Sequence, residues 1–254
     1  MSQIKEIEEK LNISRITYRS GDLLLEGLIM RPKYLTKFPA IVFIHGHGES
    51  AWQSTSKGYS LVKAGYTVFL PSMIGYGLSE GNSDYNGPKT VDGLIQGIKL
   101  FLKKSFVDNQ RLGIWGISRG AMVSAILITK KPDLFKAAVL QSGAYEMEKN
   151  YRTVIIPVIK KNIEKEAGTS YEAFRERSPI YDMDKTNTPI LILHGARDEN
   201  VMVEQAYLLD KKLSELGKTH ETVILPEAGH HYLTKETRNK ITLPFLEKYL
   251  KKLI

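Results

Sequence analysis

The 254-residue chain has no cysteine. Disulfides, thiolate metal ligands and cysteine nucleophiles are therefore excluded. It also lacks any long apolar run. About 18 consecutive apolar residues are needed to cross a bilayer as a helix, and no stretch approaches that, so no membrane span is expected. The opening residues, MSQIKEIEEKLN, are charged throughout and have no apolar segment of the secretory kind. Without signal or cysteine the chain reads as cytoplasmic. The same opening stretch is expected to form a short amphipathic helix with Ile4, Ile7 and Leu11 on one side. Low-complexity tracts and internal repeats are absent as well.

Acidic side chains are the minority among the charges. There are 28 of them against 36 Lys and Arg, a net charge of +8 at pH 7. A basic balance can serve nucleic acid, a membrane surface or an anionic substrate. Here the lysines are scattered, with small pairs at Lys103-Lys104, Lys160-Lys161, Lys211-Lys212 and Lys251-Lys252. No aromatic residues interleave with them as a base-stacking platform would require. The expectation is a solvated basic surface and no nucleic-acid partner. Hydrophobic residues make up 42% and charged ones 25%, the ordinary balance of a globular protein. The length suits one domain, 1–254.

What is present is alternation. Ala40–Ile44, Thr67–Leu70, Arg111–Trp115, Ala137–Leu140, Pro189–Leu193 and Glu221–Leu225 read as strands. They are continuous apolar runs, as in strands buried on both faces. Amphipathic helices lie between and after them, at Val91–Lys104, Ala121–Lys131, Gln205–Leu216 and Leu243–Leu253. This is the pattern of an α/β fold: a mostly parallel central sheet with helices on both faces. Ile13–Met30 reads instead as a hairpin turning at Ser20-Gly21-Asp22. The rhythm breaks over residues 145–184, where Val154–Ala167 and Ser170–Arg177 look helical. That segment is read as a small helical cap inserted over the C-terminal edge of the sheet. Its apolar residues Val154, Ile155, Ile156, Val158 and Ile159 could line a pocket, though packing onto the sheet is the plainer reading for most of them.

Four features carry chemistry. Gly116-Ile117-Ser118-Arg119-Gly120 fits G-x-S-x-G, following one expected strand and opening one expected helix. The glycines suit a turn so sharp that a Cβ at either flank would collide. Ser118 is left at the tip with its hydroxyl presented. A serine that merely caps a helix is the alternative, but a cap does not account for both glycines. A serine hydroxyl needs a base. His230 lies in the loop after the last expected strand, with His231 as its rival. His45 and His194 each end a strand before glycine and read as packing or hydrogen-bonding residues, and His220 reads as exposed. Asp198 follows the strand Pro189–Leu193 and suits the acid that orients the base, with Asp182, Asp184 and Glu199 as weaker rivals. The chain order is Ser, Asp, His. Finally, His45-Gly46-His47-Gly48 directly follows Ala40–Ile44. The backbone N–H groups of His47 and Arg119 are the expected oxyanion donors.

These stretches resemble the catalytic domain of the prolyl-oligopeptidase-like branch of the α/β-hydrolases, which includes small esterases and dienelactone-hydrolase relatives. The likeness rests on Phe106–Gly120, Arg177–Ile180, Pro189–Val201 and Pro226–His230, and it extends over nearly the whole chain. It implies an α/β-hydrolase fold, a triad of Ser118, Asp198 and His230, and an oxyanion position at His47. It implies no metal and no cofactor. Oligopeptidases of this branch carry a β-propeller before the catalytic domain, and the stretch before Ala40 is too short for one. The branch's common His-Gly-Gly is also His-Gly-His here. The resulting expectation is a carboxylesterase for small-molecule esters with short to medium acyl chains. A peptidase or aminopeptidase, an acyl thioesterase and an inactive hydrolase-fold binding protein are the alternatives. A dehalogenase would need aspartate at position 118.

Overall fold

A computed structural model describes residues 11–33, 37–230 and 234–251. The expected hairpin is there: β1 (Leu11–Ser20) and β2 (Leu23–Pro32) pair antiparallel around Gly21, whose φ of +57° suits glycine. Leu11 is a buried strand residue and not part of a helix. The rest of the opening stretch lies outside the described residues.

The other strands are β3 (Phe38–Ile44), β4 (Thr67–Pro71), β5 (Val107–Ile117), β6 (Ala137–Gln141), β7 (Ile190–Gly195) and β8 (His220–Leu225). They form one sheet in the order β1-β2-β4-β3-β5-β6-β7-β8. β2 runs antiparallel to β4, and every pairing from β4 to β8 is parallel. The fold is thus a mostly parallel sheet with an antiparallel edge, covered by helices. β3, β4, β6 and β7 are buried almost throughout, as continuous apolar runs require. β8 departs from that expectation. It is the last strand of the sheet and is only half-buried, because it has a neighbour on one side alone.

Two apolar layers hold the sheet. One face packs against α2 (Pro88–Leu102), α3 (Arg119–Lys130) and α7 (Glu204–Glu215). The other packs against α1 (Thr55–Lys63) and α8 (Lys235–Leu250). The last helix starts well before Leu243: Thr234 caps it, accepting the Thr237 N–H at 3.1 Å, and it runs through Pro244.

Between β6 and β7 lie α4 (Met147–Thr153), α5 (Pro157–Glu166), α6 (Tyr171–Glu176) and a 3-10 turn, Pro179–Lys185. The single helix expected over Val154–Ala167 is not continuous. Val154 and Ile156 are extended, with ψ of 123° and 111°, and the helix begins only at Pro157. The proline ring disfavours helical backbone at the residue before it, which places the break there. Ile163 and Phe174 of this segment pack with Met122 of α3, so it sits on the helix that follows the Gly116–Gly120 motif.

Candidate active site

Ser118 sits between β5 and α3 with φ +56° and ψ −117°. A non-glycine residue in such backbone is strained by about 1–3 kcal/mol, a cost the surroundings must impose. They do so through the two glycines. A Cβ on Gly116 would overlap the Gly120 carbonyl, and a Cβ on Gly120 would overlap the carbonyls of Ile44 and His45. The turn is therefore pressed against the end of β3. The Ser118 N–H donates to the Gln141 carbonyl at 2.8 Å, which fixes the turn to β6 as well. The Ser118 side chain makes no capping bond to α3. Its Oγ lies instead 2.9 Å from Nε2 of His230.

His230 arrives on the loop after β8. That loop is laced to the loop after β7: Ala196 N–H donates to Leu225 O and Arg197 N–H to Ala228 O, each at 2.9 Å. A Cβ on Gly195 would strike the Ala228 carbonyl, so the two loops touch through a glycine. Nδ1 of His230 is 2.7 Å from Oδ2 of Asp198. His231 lies outside the described residues. Asp182 is tied to Arg175 and Lys185, and Glu199 is exposed, so neither reaches His230.

Asp198 is buried. Burial alone would raise its carboxyl pKa. Hydrogen bonds from His194 and His230, the charge of His230 and the Val201 N–H more than reverse this and hold it well below the usual carboxylate range. One carboxylate oxygen, Oδ1, accepts the N–H groups of Asn200 and Val201 at 3.0 and 2.9 Å. The other meets both histidines. His194 Nε2 lies 3.2 Å from Oδ2 and 2.8 Å from the Val201 carbonyl. His194 is thus a hydrogen-bonding residue, as expected, and one of its partners is Asp198. The four-residue interval from His194 to Asp198 was the available signal.

On the other flank is the loop after β3. Gly48 has φ +77°, which needs glycine, whereas a Cβ on Gly46 would meet only ordinary contacts at 3.6 Å. Of the two glycines in this loop, only Gly48 is therefore sterically required. His45 is buried and pins the loop to the one after β4: its Nδ1 donates to the Gly46 carbonyl at 2.7 Å, and its Nε2 accepts the Met73 N–H at 3.0 Å. Burial pushes its pKa down to about 4, so the ring is neutral and its tautomer fixed. His220, expected to be exposed, is half-buried against Asp210. Arg119 begins α3, where an N–H has no intrahelical acceptor. Its side chain turns away from Ser118: Nη1 donates to Glu166 Oε2 at 2.7 Å and to the Tyr76 oxygen at 2.8 Å.

His47, Ser118, Arg119 and His230 all line one cavity of about 410 Å³. Its wall is largely apolar, with Tyr85, Ile117, Met122, Ala144 and Val201 together with Ile156, Val158 and Ile159 from the segment between β6 and β7. Of the five apolar candidates there, these three reach the cavity; Val154 is buried and Ile155 is 63% exposed. Among the described residues, no group of three or more His, Asp and Glu side chains is arranged to hold a metal ion, and no helix is long and apolar enough to cross a membrane.

The geometry is that of an α/β-hydrolase, and the comparisons agree. Residues 52–254 match the model of the prolyl oligopeptidase family, Peptidase_S9. The chain belongs to that family and is a serine hydrolase of it. It is 25% identical over 233 residues to an uncharacterized peptidase of Bacillus subtilis, YtmA, covering 91% of this chain and 90% of that protein. It is also 25% identical to acylamino-acid-releasing enzyme 1 of Oryza sativa, but there it spans 87% of itself and only 31% of the relative. Among solved structures, the Pyrococcus horikoshii acylaminoacyl peptidase superposes with a TM-score of 0.84 at 23% identity, over 99% of this chain and 44% of that one. The Pyrococcus furiosus esterase PF2001 superposes with a TM-score of 0.77 at 18% identity, over 97% and 93%.

Proposed function

We propose that this chain hydrolyses carboxylic esters of short to medium acyl chains through an acyl-enzyme on Ser118, as a single hydrolase domain capped by residues 145–184. The observation that carries this is the unbroken relay from Ser118 Oγ through His230 to Asp198, at 2.9 and 2.7 Å, opening into the apolar cavity. With Nδ1–H donating to Asp198, Nε2 of His230 is a lone pair facing the Ser118 hydroxyl. It takes the proton as Oγ attacks the carbonyl carbon. The backbone N–H groups of His47 and Arg119 receive the oxyanion, each such donor contributing about 3 kcal/mol to the transition state. His230 then protonates the leaving alcohol, and water, activated by the same ring, releases the acid. No metal or cofactor takes part.

A peptidase is the second reading, favoured by the names of the rice, archaeal and Bacillus relatives. Of its forms, an aminopeptidase would need an anion for the substrate's free amine. Glu49 lines the cavity, but its carboxylate is already 2.7 Å from Lys57 Nζ. That supports the ester over the amine-terminated peptide. The test is a panel of p-nitrophenyl esters and chromogenic aminoacyl amides, run on the parent and on Ser118→Ala. Ester turnover should fall at least about 10⁴-fold in the variant. Amides turned over as fast as esters would transfer the assignment to a peptidase.

A further inference from the structure

The oxyanion flank of Ser118 converges on one phenol. The Tyr76 oxygen lies 2.8 Å from Nδ1 of His47 and 2.8 Å from Nη1 of Arg119. These are the two residues whose backbone N–H groups are assigned above to the oxyanion. From Arg119 the network continues into α5. The Glu166 carboxylate, 2.7 Å from Arg119 Nη1, also accepts the Ser83 hydroxyl at 2.7 Å. The guanidinium carbon lies 3.8 Å from the centre of the Tyr85 ring. The donors fix the protons. Asn162 Nδ2 donates to His47 Nε2 at 3.4 Å, so the proton of the neutral His47 ring sits on Nδ1. Nδ1 and Arg119 Nη1 then both donate to the phenol oxygen. Burial, with Arg119 nearby, lowers the His47 pKa, which favours the neutral ring this needs.

Tyr76 is firmly held. It stands between Gly75 and Gly77, with φ of +78° and +60°. A Cβ on Gly77 would crowd Glu26, Ser72 and Ser50. The buried Glu26 carboxylate accepts the Leu78 N–H at 2.9 Å, and the Tyr76 ring packs edge-on against His45 and His47. The ion pair it feeds is also withdrawn from water, with side-chain exposures of 7% for Arg119 and 15% for Glu166. Screening by solvent is correspondingly weak there.

We propose that Tyr76 is a positioning residue for the oxyanion hole: its hydroxyl sets the spacing of His47 and Arg119, and the Arg119–Glu166 pair makes that spacing depend on α5 being docked. Donors that stabilise an oxyanion must be placed in advance to within about 0.5 Å. A single hydroxyl bridging the side chains of both donor residues meets that demand. The inference rests on the hydrolase reading above.

The test uses Tyr76→Phe, which keeps the ring and its packing. A p-nitrophenyl ester reports kcat and KM. A trifluoromethyl ketone, which adds to Ser118 as a tetrahedral oxyanion, reports the transition state. A non-electrophilic alcohol of the same shape reports ground-state binding. The expected result is a fall in kcat and in ketone affinity of about tenfold each, part of the effect of losing a whole donor, with KM and alcohol binding unchanged. Glu166→Gln should give a smaller fall of the same kind, and the double variant no more than Tyr76→Phe alone. A Tyr76→Phe kcat within twofold of the parent overturns the proposal. So does equal weakening of ketone and alcohol, which a merely structural role would give. If Tyr76→Phe does not fold, the kcat–KM split of Glu166→Gln decides alone. A parent whose turnover survives Ser118→Ala overturns the hydrolase reading and this inference together. A Ser118-dependent parent indifferent to Tyr76→Phe overturns only the inference.

Discussion

On one flank of Ser118, His230 and Asp198 arrive on two neighbouring strand-end loops laced together by backbone hydrogen bonds. On the other, His47, Tyr76, Arg119 and Glu166 arrive from the loop after β3, the loop after β4, the start of α3 and the end of α5. The first flank needs only that adjacent parallel strands end together, which the sheet guarantees. The second needs four segments, far apart in sequence, to dock at once. The His230–Asp198 pair is therefore secured by the fold itself, while the proposed oxyanion side depends on how α5 is seated.

Three substitutions probe that contrast. Asp198→Asn strikes the strand-end flank. It preserves shape but offers an N–H where His230 Nδ1 needs an acceptor, so kcat should fall by about 10⁴-fold with KM little changed. Ester kinetics check this, and a fall under tenfold would mean His230 is oriented by something else. Gly120→Ala tests where the flanks meet. Its methyl would be driven into the Ile44 and His45 carbonyls, so urea unfolding should show a loss of about 4 kcal/mol or more. An unaltered midpoint would show that the turn can open. His45→Gln probes the oxyanion flank through pH. His45 is held down to about 4 from an ordinary 6.5. The unfolded chain therefore takes up a proton between those values that the folded one refuses. Its contribution is full above pH 6.5 and is lost as pH falls toward 4, a change of about 3 kcal/mol. Urea midpoints across that window should slope less steeply in His45→Gln, and identical slopes would disprove the account.

The same contrast governs what could be read from residues alone. Ser118, Asp198 and His230 each follow a strand of continuous apolar residues, so a local pattern placed each one, and the structure brings them within hydrogen-bond reach. The strands and most helices were legible for that reason. The helix over Val154–Ala167 was misread because apolar periodicity continues across Pro157, while backbone sterics do not. Tyr76 was missed because nothing in its own neighbourhood names its partners. Glycines on both sides were the only cue, and they signal a turn, not a contact. The turning away of Arg119 was equally illegible, since Glu166 lies 47 residues on.

One property of Asp198 bears on anyone who would reshape this pocket. Its two oxygens serve different masters: one organises the main chain through Asn200 and Val201, and the other addresses the imidazoles. Asn200 and Val201 are also part of the cavity wall. Under the proposed reaction, selectivity and proton transfer would be mechanically coupled through a single carboxylate. Truncating it to alanine would blur the two, because the wall would slacken as the base lost its guide. Variants chosen at 200 or 201 for a new acyl group will carry a penalty in turnover unless the replacement leaves those two main-chain N–H groups where they are.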